Sequence, residues 1–353
     1  MGALTPERLT AQLLAGPPAS DPVAVAERLL AVQGQDPRGV RLAIRARTTG
    51  LRGADVDRAL TEDRSLVITW LNRGTLHLVR SEDYAWLHAL TGPRLLTSTM
   101  RRLAQLDVAP DDADRGVALI EQALADEGPL IRDQLAERVA QAGIRTEGQA
   151  LIHILALASI RGVVVRGPMV GRRHAYVLVR DWLGEQGPVD RARALAELAR
   201  RYLAGHGPAD DRDLAKWAGL PLRDVRAGLG SIAPELEQRD DGLLDLAGRA
   251  PAARARTGVD LPPPRLLGSF EPVLLGWVSR EPLLGHDQQA IIVGGIFRPF
   301  ALVGGRAVAT WRLARTPAGG SEVELEPFGR LRPADAEALE AEAADVLRFF
   351  ADG

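Results

Sequence analysis

Two stretches of the chain, GVALIEQALADE at 116–127 and RARALAELARRYLA at 191–204, space their apolar residues as helices do, for example at Leu195, Leu198 and Leu203. Each leads into a Gly-Pro turn, Gly128-Pro129 and Gly207-Pro208, and then to a Leu-Ala pair, Leu135-Ala136 and Leu214-Ala215. The frame G-P-x5-L-A therefore occurs twice, 79 residues apart. A second helix carries each Leu-Ala pair and a third follows, EGQALIHILALASI in one copy and PLRDVRAGL in the other. The pattern then turns to short strands around a tight connection, VVVRGPMVGRRHAYVLV at 163–179 and ELEQRDDGLLDL at 235–246. Three helices and a hairpin predict a winged-helix unit.

A looser copy occupies the N-terminus. A helix over 5–14 leads to Gly16-Pro17, and Asp21 caps a helix that opens with Pro22 and runs through Val25, Leu29 and Leu30. GADVDRALTED reads as a later helix and LVITWLNRGTLHLV, at 66–79, as a hairpin. Beyond the proline run Leu261-Pro262-Pro263-Pro264 the pattern changes to β-rich segments, VLLGWV, QAIIVGGIF, FALVGGRAVATWRL and SEVELEPF, divided by Gly-Gly and Pro. A last helix, Pro333 to Phe350, is apolar at Leu339, Ala343, Val346 and Phe350 and acidic elsewhere. The expected fold is α+β: three tandem winged-helix units, a small antiparallel, barrel-like β-rich region and a C-terminal helix. Its boundaries are 1–110, 111–185, 186–250 and 251–353.

Composition narrows the chemistry. The 353 residues hold 46% hydrophobic and 25% charged side chains, which suits packed domains and excludes a disordered chain. With no cysteine, thiolate nucleophiles and thiolate metal sites are ruled out. The start, MGALTPERLTAQLL, lacks the basic and apolar regions of a signal peptide, and a bilayer-spanning apolar stretch is missing, so a cytoplasmic, nucleoid-associated protein is expected. The formal charge of -2 is unevenly spread, with eight arginines against four acids in 151–200 and six against nine in 301–353. Lys216 is the only lysine among 44 basic residues, so amine chemistry has that side chain and the N-terminus alone.

Walker, dinucleotide, H-E-x-x-H and G-x-S-x-G motifs are missing, and the six histidines do not fall at metal-ligand spacing; neither a metal nor a cofactor is expected. The third helices are poor groove readers. EGQALIHILALASI has no basic residue, ADVDRALTED has one arginine among four acids, and only PLRDVRAGL offers Arg223 and Arg226. The hairpin of the second unit differs: Arg166, Arg172, Arg173, His174 and Arg180 crowd it, which suits phosphate contacts or entry to a minor groove. Gln33 and Gln35, where a helix runs out at Gly34, are neutral amides able to orient a water or accept from a donor.

Three groups of residues together resemble the AlkZ/YcaQ-type DNA glycosylases. They are Val32-Gln33-Gly34-Gln35-Asp36-Pro37, the hairpin from Trp70-Leu71-Asn72-Arg73-Gly74 to Val79, and the C-terminal Leu267-Gly268-Ser269-Phe270-Glu271-Pro272 and Gly294-Gly295-Ile296-Phe297-Arg298-Pro299 with Arg280 and Trp311-Arg312. The resemblance spans nearly the whole chain and implies a C-shaped stack of winged helices around a β-barrel. It implies excision of alkylated bases, N7-alkylated purines above all, with release of crosslinked guanines in some members. The family's Gln-x-Gln or Gln-x-Asp motif maps onto Gln33 and Gln35, the second glutamine favouring the AlkZ-like branch. Gly34 departs from the usual apolar middle residue.

An N7-alkylated purine already carries positive charge and departs neutral, so no strong general acid is needed. What remains is to place a water and hold the sugar, with Gln35 assigned to the water and Gln33 to the sugar or lesion. Asp36 is expected to cap the turn at Pro37. Arg73, His77, Arg166, Arg172 and Arg173 are the expected DNA contacts. The expected protein is a monomeric, monofunctional glycosylase acting on double-stranded DNA with alkylated bases, in repair or in self-resistance to a DNA-alkylating compound. The alternatives are a non-catalytic winged-helix DNA binder or transcription regulator, and an interaction scaffold.

Overall fold

The computed structural model describes residues 5–249, 262–317 and 319–351, so the boundary drawn at 250/251 and Leu261 of the proline run lie outside the described residues. The chain divides into two compact units, one of residues 57–194 and one of the remainder.

The N-terminal part of the larger unit holds α1 (Pro6–Ala11), α2 (Pro22–Leu29), β1 (Val32–Gln33) and α3 (Pro37–Arg45). All three helices begin with proline behind a side-chain cap: Thr5, Asp21 and Asp36 each accept from a first-turn N–H, which satisfies a donor the helix leaves open. α2 stops at Leu29, five residues short of the expected run-out at Gly34.

After α4 (Gly53–Thr61), the 57–194 unit contains β2 (Leu66–Leu71), β3 (Thr75–Arg80), α5 (Tyr84–Gln105), α6 (Pro110–Glu127), β4 (Leu130–Ile131) and α7 (Arg132–Gln141). It closes with α8 (Ala150–Ile160), β5 (Val164–Val170), β6 (Arg173–Leu178) and α9 (Val179–Trp182). Within this unit the strands lie in the order β3-β2-β5-β6-β4, all antiparallel. The β2–β3 hairpin runs in register from Leu66↔Arg80 to Leu71↔Thr75, the hairpin expected over 66–79. α8 is buried along most of its length, the reason its sequence is nearly all apolar.

The second part of the larger unit opens with α10 (Arg191–His206), α11 (Asp211–Ala218), α12 (Leu222–Ser231) and the hairpin β7 (Leu236–Gln238) and β8 (Leu244–Leu246). Then come β9 (Arg265–Leu267), α13 (Glu281–Leu284), α14 (Gln288–Ile291), β10 (Ile292–Val293), β11 (Ile296–Phe297), β12 (Phe300–Val303), β13 (Arg306–Arg315), β14 (Ser321–Pro327) and α15 (Pro333–Phe350). The expected barrel is not closed: four antiparallel strands form an open sheet, β14-β13-β12-β9, whose edges are β14 and β9. VLLGWV, expected to be extended, instead turns through a single 3-10 turn at Pro272–Leu274, because Pro272 starts a turn and Val273, Leu274 and Trp277 all point inward. α15 covers the open sheet, packing Leu339 and Val346 on Leu42, Leu266, Ala301, Ala309 and Trp311.

Candidate functional site

The glutamine segment begins at a strained turn. Leu30 has φ 65° and ψ -47°, and the Ala31 N–H donates to the Leu29 carbonyl at 2.8 Å, so the chain reverses through a three-residue γ-turn. A leucine in that conformation costs of the order of 1–3 kcal/mol and persists only where its surroundings hold it; Leu30 and Leu29 are both fully buried. The turn ends α2 and sends the chain into the short β1. Gln33 is therefore a strand residue inside the protein, 6% exposed, while Gln35 follows the buried Gly34 at the surface. They do not share a helix end.

Next in sequence, the Asp36 carboxylate accepts from the Arg38 N–H at 3.0 Å and caps α3. A loop from β9 presses on the first turns of that helix. A Cβ on Gly39 would lie 2.3 Å from the Ser269 carbonyl oxygen, and one on Gly268 would lie 2.9 Å from the Gly39 Cα. Both positions need glycine because the backbones touch. The loop continues through Phe270, at φ 53°, whose ring lies 5.4 Å from that of Phe297. The Arg280 guanidinium sits 5.3 Å from the Phe297 ring and donates to the Leu274 carbonyl at 2.7 Å, with burial holding its pKa below the ordinary arginine value.

Buried ion pairs fix this neighbourhood. Arg47 and Glu271 are both fully buried and meet at 2.5 Å; Arg47 also donates to the Gln12 and Ala43 carbonyls at 2.7 and 2.9 Å. Arg45, 3% exposed, binds Glu342 at 2.6 Å, Asp345 at 2.8 Å and the Leu266 carbonyl at 2.9 Å. Asp36 is thus committed to a helix cap, and Glu271 gives Oε1 to Arg47 while its buried Oε2 has no hydrogen-bond partner among the described residues.

In the 57–194 unit, the expected DNA contacts divide by exposure. Arg172 and Arg173 are exposed on the β5–β6 hairpin, Arg173 paired with Asp133 at 2.5 Å. Arg166 is half-buried, its guanidinium 5.2 Å from the Trp70 ring and 5.0 Å from the Tyr176 ring, and it donates to the Tyr176 hydroxyl at 2.9 Å. Arg73 is half-buried in the turn of the β2–β3 hairpin. His77 lies inside at 2% exposure, with Nδ1 2.9 Å from the Thr75 carbonyl; burial, helped by Arg73, pushes its pKa down to about 3 and keeps it neutral.

Two features go beyond the sequence reading, which took QAIIVGGIF as β-rich but not what its turn exposes. β10 and β11 form a ribbon whose turn, Gly294-Gly295, has both φ values positive, 57° and 83°, the geometry a two-residue hairpin favours. Val293 and Ile296 flank that turn with 44% and 62% of their surface open, the latter the most exposed large apolar side chain among the described residues. The signal for it was the Gly-Gly pair between β-branched residues. The other is α5. Among the described residues there is no cluster of three metal-ligating side chains, and no helix is long and apolar enough to cross a membrane.

Comparison with known proteins bears on the whole arrangement. Residues 26–349 match the family model described as "DNA glycosylase AlkZ-like". A curated relative, the interstrand DNA cross-link repair glycosylase of Streptomyces sahachiroi, is 28% identical over 360 residues, covering 94% of this chain and 91% of that protein. The solved structure of Streptomyces sahachiroi DNA glycosylase AlkZ superposes with a TM-score of 0.74 at 25% identity, over 97% of this chain and 94% of that one.

Proposed function

Because this chain belongs to the AlkZ-like DNA glycosylase family, we propose that it hydrolyses the N-glycosidic bond of cationic N7-alkylated purines in double-stranded DNA. Crosslinked purines are included, the product is an abasic site, and the enzyme works as a monomer. Two groups of helices ending in a hairpin, α6–α8 with β5–β6 and α10–α12 with β7–β8, act as winged helices.

The observation that supports this reading is that Asp36, the carboxylate next in sequence to Gln35, is already engaged in capping α3. An enzyme that had to protonate an anionic leaving base would need a free acid. A cationic base leaves neutral, so the remaining tasks are to orient a water and to steady the sugar as positive charge develops on it. A carboxamide oxygen does both: it accepts from the water and presents a partial negative charge without being titrated. Gln35, at the surface, holds the water; Gln33, inside, holds its neighbour and the sugar edge. The γ-turn at Leu30 and the Gly39–Ser269 contact fix the backbone on either side, so little is reorganised during bond rupture.

Phosphates are held by Arg172 and Arg173 on their open ribbon, and by Arg73. Arg166 stiffens its hairpin by stacking on Trp70 and Tyr176, and His77 supports the Arg73 turn from within. Val293 and Ile296 form an apolar wedge at the tip of a narrow ribbon, suited to a minor groove whose stacking a lesion has weakened.

The test is incubation with a duplex containing a single N7-methylguanine, followed by alkaline cleavage at abasic sites. Strand scission at the lesion position is expected, with none in the undamaged duplex. Intact lesion after enzyme-excess incubation would refute the proposal.

A further inference from the structure

α5 is the longest helix among the described residues, 22 residues from Tyr84 to Gln105, and it contains Arg94, Arg101 and Arg102 but no aspartate or glutamate. Pro93 interrupts its hydrogen bonding, and beyond it the helix has two distinct faces. One face packs inward with Thr99 and Leu103 buried and Leu95 half-buried. The other presents Arg94, Thr97, Ser98, Arg101 and Gln105, all exposed, at the i, i+3, i+4, i+7, i+11 spacing that lines one side of a helix. Every one of these side chains is a hydrogen-bond donor.

Several other arginines of the same unit are neutralised. Arg115 pairs with Asp112, Arg138 with Glu127, Arg161 with Asp114 and Arg180 with Glu121. Arg94 and Arg101 make no hydrogen bond or ion pair with any described residue. They stand about 10 Å apart along the axis, seven residues at 1.5 Å each, a span of roughly three steps of one DNA strand. The Arg73 turn adjoins the same helix, since a Cβ on Gly74 would lie 3.5 Å from the Leu95 side chain.

We propose that the solvent face of α5, from Arg94 to Gln105, is a binding surface for the phosphate backbone of duplex DNA. It binds without regard to sequence or lesion, through the two unpaired guanidiniums with Thr97 and Gln105 as supporting donors, the Ser98 hydroxyl being spent on the Leu95 carbonyl. The proposal rests on the DNA-glycosylase reading for its choice of partner. Charge complementarity selects that partner: a row of donors and cations with no acid fits a polyanion, and two unneutralised arginines in register fit a regular one.

The test is fluorescence anisotropy of undamaged 25-bp duplex with the full chain, from 50 to 200 mM KCl. The double variant Arg94→Gln/Arg101→Gln should bind at least tenfold more weakly at the lowest salt, and its log K against log salt slope should be shallower by about two. Ser98→Glu, which keeps both arginines, should weaken binding in the same direction with an unchanged melting temperature. Arg332→Gln, which removes an arginine already paired with Asp335, should keep the parental slope. A parental slope and affinity in the double variant would overturn the proposal and leave α5 to an acidic protein or to solvent. Because the duplex carries no lesion, this outcome is separate from excision: a chain that failed to release N7-methylguanine could still pass, and an active glycosylase could still fail.

Discussion

Replacing Glu271 by alanine removes one half of an ion pair that has no access to water. Both side chains are fully buried, and Arg47 would keep its bonds to the Gln12 and Ala43 carbonyls but lose its carboxylate partner. Breaking such a pair from one side costs about 3–5 kcal/mol, because an uncompensated charge stays in the interior. The loss should be felt where the loop meets α3, since Glu271 follows directly on the Gly268–Phe270 segment that touches Gly39. Hydrogen exchange followed by mass spectrometry reads the two compact units separately. Peptides from Pro37–Arg45 and from 265–275 should lose roughly two to three and a half orders of magnitude of protection, at 1.4 kcal/mol per tenfold. Peptides from 57–194 should be unchanged. The double variant Arg47→Met/Glu271→Leu should recover most of the loss, falling short by the cost of the two carbonyls that Arg47 no longer serves. The coupling between the two sites should therefore reach about 2 kcal/mol. A single variant within about 0.5 kcal/mol of the parent, or no coupling, would refute the reasoning that this pair anchors the loop.

Other predictions follow from the same geometry. Arg172→Gln/Arg173→Gln should weaken binding to any duplex and flatten the salt dependence by up to about two, less to the extent that Asp133 already neutralises Arg173; anisotropy across a salt series reads it. Stability should fall with acidity. Burial pushes the pKa of His77 and of His206 down to about 3 from 6.5, so between these values the unfolded chain binds more protons. Their contribution is complete above pH 6.5 and lost as pH drops toward 3, up to about 2 kcal/mol for each by pH 5. Urea midpoints at pH 7.5 and 5.0 should show this drop, and His206→Phe should reduce it; a pH-independent midpoint would contradict it. Borohydride should trap no covalent DNA adduct, since the sole lysine side chain, Lys216, donates to the Val278 carbonyl at 3.0 Å.

Local chemistry was legible where it decided the structure. Asp21-Pro22 and Asp36-Pro37 start helices as cap and first residue must, the segment 66–79 is a hairpin, and the last helix runs from Pro333 to Phe350 as its spacing predicts. The 22-residue α5 was hidden by Gly92-Pro93, a pair that ends helices at 128–129 and 207–208 but lies inside one here. The family motif located Gln33 and Gln35, but their setting was misread as a helix end. The γ-turn at Leu30 is made by a leucine, which carries no signal for a positive φ. The partners of Arg47 and Arg45 lie 224 and 297 residues away, a separation no local pattern encodes. His77 lies in a strand buried on both faces, so an expected surface contact is a buried neutral ring. The barrel was inferred from β-rich segments and from the family resemblance, whereas closure depends on edge pairing that β14 and β9 do not make with each other.

The central claim is that carboxamides suffice to release a base that alkylation has already made a good leaving group. It is tested most directly by single-turnover excision of N7-methylguanine from duplex DNA by Gln35→Ala, beside a binding measurement on the same duplex. The account predicts a rate lower by about a hundredfold, about 3 kcal/mol of transition-state stabilisation, at nearly unchanged affinity. A parental rate would contradict it and remove Gln35 from the chemistry.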